Sequence, residues 1–164
     1  MSSTVNESMP TSTTQNCTKT LYLIRHGQSL ANRDLAETIE YQDAGLTDQG
    51  ITQARGLQQH LETLDLELVV VSPLTRALQT CDSALPASYS GVVIVHPKIH
   101  EICDSYYSCG QKRAIIRRDF AKFDWSHVPE NNVWWWPFDE HGKSEPTESA
   151  HERIYLRVKN KFVL

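Results

Sequence analysis

A chain of 164 residues can bury one sizeable core but is short for two, so a single domain with any tails is expected. Its formal net charge of -4 and pI of about 5.9 give no global attraction to nucleic acid or to an anionic membrane surface, so any phosphate-bearing ligand must be held locally. No apolar run approaches the ~20 residues that span a bilayer. Nothing resembles a signal peptide, and Cys17, Cys81, Cys103 and Cys109 follow no zinc-type paired spacing, so reduced thiols in a cytoplasmic protein are the expectation.

Residues 1–20 hold thirteen Ser, Thr, Asn or Gln and two charged residues, with no apolar periodicity. Such a segment buries too little apolar area to offset its ordering entropy, and a disordered polar tail is expected. Residues 21–25 (LYLIR) read as a buried strand. Thr47 offers an N-cap to a helix over 48–64, where Ile51, Ala54, Leu57, Leu61 and Leu64 recur at roughly helical spacing. Residues 66–72 (LELVVVS) form a second strand, short, β-branched and almost wholly apolar. Ser72 and Pro73 then suit the cap and first turn of a helix over 73–85, and VVIV at 92–95 makes a third strand. Residues 111–120 suggest a short helix with a basic face, and 125–138 an aromatic-rich loop broken by prolines. From Glu148 a helix is expected, with Ala150, Ile154, Val158 and Phe162 on one face. Strands alternating with helices predict an α/β domain with a mostly parallel sheet.

In an open parallel sheet, ligands sit outside the carboxyl ends of the strands. Arg25, His26 and Gly27 leave the first strand, Ser72 to Arg76 the second, and His100 and Glu101 follow the third, so three segments converge on one edge. Arg25 and Arg76 offer planar donor forks to phosphate oxygens. A neutral His26 could attack phosphorus, provided one ring nitrogen is unprotonated and the other is hydrogen-bonded, as to a backbone carbonyl. Gly27 would let the backbone approach an anion closely. Glu101 beside a phosphate would have reason to hold a proton and could deliver it to a leaving alkoxide. His96, His100, Glu101 and Cys103 lie close in sequence, but two histidines four apart on a strand are ~13 Å apart, so no metal is expected. Cys81 reads as a small core residue. The cluster Lys112, Arg113, Arg117 and Arg118 reads as a solvated face in preference to a substrate-gathering one.

RHGQSLAN (25–32), LTDQGITQA (46–54), SPLTRALQT (72–80) and the glutamate of HEICD (100–104) together resemble the histidine phosphatase superfamily, the phosphoglycerate mutase-like group. The resemblance covers residues 21–164 as one domain. It implies a three-layer α/β/α fold in which His26 is the phosphorylated nucleophile. Arg25, Asn32 and Arg76 would bind phosphate, and Glu101 would donate the proton. CDSYYSCG, FDWS (123–126) and WWWP (134–137) look similar to a eukaryotic branch of broad phosphatase character. One departure stands out. Family members carry a second histidine on a central strand after the helix that here begins near 148, and this sequence ends at Leu164 without it. His141-Gly142 precedes that helix and is a poor substitute, so a truncated chain lacking the central second-histidine strand is expected. The resulting expectation is phosphomonoester hydrolysis, in preference to mutase action, on a small-molecule or other phosphorylated substrate. No metal or organic cofactor, nucleic acid or membrane is expected to take part. A non-catalytic phospho-ligand binding module and an inactive fragment are the rivals, and the oligomeric state is open.

Overall fold

The computed structural model describes residues 19–35, 38–130, 133–135 and 144–158. Most of the expected tail, His141, Gly142 and Phe162 lie outside the described residues. Among the described residues, no helix is long and apolar enough to cross a membrane.

The domain is α/β. Strands β1 (Val69–Val71) and β2 (Val93–Val95) pair in parallel, Val69 opposite Val93 and Val71 opposite Val95. Both are shorter than the expected runs, because the flanking residues bend away to feed helix and loop. β2 is also tied on its far side to Asp124, through Val95 N–H to the Asp124 carbonyl at 2.8 Å and Asp124 N–H to the Val93 carbonyl at 2.8 Å. Helix α4 (Thr75–Ala84) packs on β1, and Val69, Val71, Leu74, Leu78, Val93 and Val95 meet Ile116, Phe120, Phe123, Trp125, Val128 and Trp134 in one core. Trp125, Val128 and Trp134 of the aromatic loop are therefore part of a core wall, with the Trp125 indole N–H capped by the Phe120 carbonyl and that of Trp134 by the Gln111 carbonyl.

The expected helix over 48–64 is two helices, α2 (Asp48–Arg55) and α3 (Gln58–Glu62), separated at Gly56 and Leu57. Glycine has low helix propensity, and the break re-aims Leu61 onto Ala54 and Ala84 in a second small core. α2 starts as expected, with Thr47 Oγ1 accepting from Gly50 N–H at 3.0 Å. The expected helix over 111–120 shrinks to one turn, α5 (Arg113–Ile116). Arg113 is a tie to the Val128 carbonyl, while Arg117 and Arg118 face solvent. The last helix, α6 (Thr147–Val158), begins where expected, and its Ala150 is fully buried.

The first strand is the main correction. Residues 21–25 join no ladder, and Leu21, Leu23 and Ile24 are exposed, Leu23 at 75 %. A strand needs a partner within hydrogen-bonding reach. Here Ile24 and His26 face Val69, Val70, Val71 and Ser72 across an apolar cavity of ≈ 150 Å³. The outer edge of β1 thus opens on this gap and not on residues 21–25.

Candidate active site

Residues 26–29 are fixed by side chains of α2 and α4 and by backbone pairing with residues 46–47, through an isolated antiparallel bridge of Ser29 with Leu46 and Thr47 N–H to the Gln28 carbonyl at 2.9 Å. Gly27 N–H donates to Thr80 Oγ1 of α4 at 3.1 Å, and Gln28 N–H to Gln53 Oε1 of α2 at 2.8 Å. Gly27 and Gly50 meet backbone to backbone: a Cβ on Gly27 would lie 2.4 Å from the Gly50 carbonyl oxygen, and one on Gly50 would lie 2.2 Å from that of Gln28. Both glycines are required by this close approach, a reason separate from any anion. Ser29 then caps α1 (Leu30–Asp34) in a reciprocal box, its Oγ accepting from Asn32 N–H while Asn32 Oδ1 accepts from Ser29 N–H. The Asn32 carbonyl oxygen is thereby engaged, and its amide nitrogen is the group left to donate to an anion.

His26, Arg76 and Glu101 come together. Arg76 is 2 % exposed, and its Nε donates to His26 Nε2 at 3.2 Å, its Nη1 to the Tyr107 carbonyl at 2.7 Å, and its Nη2 to Glu101 Oε2 at 2.6 Å. Guanidinium N–H groups only donate, so His26 Nε2 is the accepting, unprotonated nitrogen. Nδ1 therefore carries the proton and donates to the Gly27 carbonyl at 2.7 Å. Burial holds the His26 pKa below its ordinary value of 6.5. The Arg76 and Arg25 cations add to the lowering, against the Gly27 carbonyl and Glu101. The imidazole is neutral at pH 7, with Nε2 as its available lone pair. Arg25 is exposed at the rim, and Glu101, half-exposed, is ion-paired with Arg76.

His96 and His100, by contrast, leave the site. A 3-10 turn at Pro97–Ile99 separates them; His96 stacks on His127 at 5.0 Å, and His100 sets its ring edge-on to Trp134. Cys103 and Cys109 are buried with sulfurs 3.2 Å apart, and burial pushes the Cys81 thiol up to about 12, so Cys81 serves as packing.

Sequence reasoning missed Asp43, Thr80 and the Tyr107 carbonyl. Asp43 is 3 % exposed, and its carboxylate accepts from Thr75 N–H at 2.8 Å and Thr75 Oγ1 at 2.7 Å, so the cap of α4 comes from another loop; the expected cap, Ser72, reaches only Leu74 N–H at 3.3 Å. A lone acid in the turn DAG carries no periodic signal. A backbone carbonyl carries none at all.

Comparison with known proteins shows the family. The family model of the histidine phosphatase superfamily (branch 1) matches residues 21–159. A Schizosaccharomyces pombe protein named "Probable phosphatase" is 31 % identical over 126 residues, 70 % of this chain and 56 % of that protein, so this chain spans little more than half its length. The Escherichia coli adenosylcobalamin/alpha-ribazole phosphatase is 29 % identical over 153 residues, 88 % of this chain and 74 % of its own. Among solved structures, a candidate alpha-ribazole-5'-P phosphatase of Escherichia coli has a TM-score of 0.55 at 22 % identity, covering 84 % of this chain and 64 % of that one, a likeness of fold. With a family match running through His26, Arg76 and Glu101 to the last helix, the chain belongs to the histidine phosphatase superfamily, branch 1.

Proposed function

We propose that this site hydrolyses phosphate monoesters through a phosphohistidine on His26. The observation that carries the reading is the fixed tautomer: Nδ1–H held by the Gly27 carbonyl and Nε2 presented beside the buried Arg76 guanidinium. An incoming phosphoryl group would take over the Arg76 donors now given to His26 and Glu101, which match its oxygens and offset the charge that develops in transfer. Arg25 and the Asn32 amide would add donors at the rim. Nε2 bonds to phosphorus as the ester oxygen leaves, and Glu101, released from Arg76, takes up a proton from solvent and passes it to that oxygen. Water then attacks the phosphohistidine, yields inorganic phosphate and returns a proton to the carboxylate.

The substrates would be small phosphorylated molecules, as the name of the Escherichia coli relative indicates for that protein. A cytoplasmic setting suits a chain whose cysteines show no disulfide framework. The test is incubation with p-nitrophenyl phosphate, acid-labile phosphohistidine being read by mass spectrometry. Wild type should carry phosphate on His26, and His26→Ala should lose both label and turnover. Wild type that binds orthovanadate yet never labels would leave a phospho-ligand binding module in place of an enzyme.

A further inference from the structure

We propose that Asp43 is the positioning residue of this site: from outside helix α4 its carboxylate grips Thr75 and so sets where the adjacent Arg76 reaches. Only the functional consequence rests on the phosphoryl-transfer reading above.

Two costs converge on Asp43. Its backbone sits at φ 50, a left-handed conformation that non-glycine residues adopt uncommonly and at a cost. Its carboxylate is also removed from water. A cap alone requires neither, since a Ser or Thr in place of Leu74 would serve from within the chain, and Leu74 itself supplies no side-chain cap. What the remote carboxylate adds is a fixed position for the start of α4 relative to the turn that holds Asp43. That turn is itself anchored on three sides. Gln42 Nε2 donates to the Gly110 carbonyl at 2.9 Å, Leu30 N–H to the Gly45 carbonyl at 2.9 Å, and Leu46 N–H to Gln79 Oε1 at 2.6 Å. The first anchor lies on the loop whose Tyr107 carbonyl receives Arg76, and the second on the helix that follows His26. Asp43 thus ties the start of α4, which carries Arg76, to a turn that is itself bonded to the helix after His26 and to the loop whose carbonyl receives Arg76. Its charge also attracts Arg76, the charged side chain that acts on it electrostatically.

The experiment uses the full chain with Asp43→Ala, Asp43→Asn and Thr75→Val. Two readouts are taken: the Arg76 Nε–H NMR signal, assigned by its loss in Arg76→Lys, and orthovanadate affinity. Asparagine can still accept from Thr75 N–H and donate to its hydroxyl, so it preserves position without charge. Asp43→Ala should displace the Arg76 signal and weaken vanadate binding about tenfold or more, with helix content retained, and Asp43→Asn should return affinity to within about threefold of wild type. Should the alanine variant fail to fold, Thr75→Val severs the hydroxyl contact and should displace the same signal. An unmoved Arg76 signal and unchanged affinity in the folded variants, or an asparagine variant as impaired as alanine, overturns the proposal. If wild type binds no vanadate, the phosphate-pocket reading fails, and the Arg76 signal alone decides the role of Asp43.

Discussion

Arg76 and Asp43 show what a residue pattern can and cannot carry. SPLTR placed an arginine one turn into a helix at a strand exit, and the structure puts it within 3.2 Å of the His26 ring. The aspartate that fixes that helix sits 32 residues earlier and was invisible, because a cap from a remote loop has no local spacing. Its protonation is measurable. Burial raises the Asp43 pKa from 3.8 to about 6, against the Thr75 hydrogen bonds and the Arg76 charge that lower it. The folded state therefore holds a proton that the unfolded chain releases between those two pH values. The stability this contributes is full below pH 3.8 and lost as pH rises through about 6, a change of about 3 kcal/mol at most. Asp43→Asn has no such proton, so urea unfolding at pH 4.5 and 7 should show wild type losing ground to the variant as pH rises. Parallel curves at both pH values would mean the carboxylate is not desolvated as described.

Among the elements, glycine position decides sign. The sequence placed one helix across 48–64 because Ile51, Ala54, Leu57 and Leu61 keep roughly one period, and that period survives a short interruption at Gly56. Periodicity reports which face is buried but not whether the axis is continuous. Gly56 has right-handed helical backbone, φ -60 and ψ -17, and a Cβ there would lie 3.3 Å from the Gln53 carbonyl, a close contact that a shift of a few tenths of an ångström at this helix end relieves. Gly56→Ala should stabilise the fold by about 0.4–1 kcal/mol, chiefly by restricting the unfolded chain. Gly50 lies within the same helix but lacks the space, since its Cβ would strike the Gln28 backbone. Gly50→Ala should cost about 1–3 kcal/mol and push the His26 loop off α2. Chemical denaturation of the two variants checks the contrast, and equal effects would remove the close approach as the reason for Gly50.

At the scale of the molecule, His26 hangs largely from helices. A strand ending in RHG would hold His26 by a ladder, and LYLIR was read as that strand because four of its five residues are apolar or aromatic. Composition does not supply a neighbour: Ile24 and His26 face β1 across an apolar cavity, and side chains of Thr80, Gln53 and Arg76 bond residues 26–28. Local opening follows the number of buried, paired backbone groups. β2 is bonded on both sides, to β1 and to Asp124, and Val95 is fully buried. Leu21, Leu23 and Ile24 have exposed side chains, Tyr22 is half-buried, and residues 21–24 join no ladder. Amide hydrogen exchange should therefore be slowest at Val95 and near the unprotected rate at Leu21 to Ile24, with Gly27 and Gln28 between, since each donates to a side chain of a packed helix. Vanadate bound at the proposed site should slow Gly27 and Gln28 further, because opening that loop would then require release of the ion. Protection at Leu21 to Ile24 equal to that of Val95 would mean that a partner fills the gap beside β1, and the placement of His26 would have to be assigned to a strand after all.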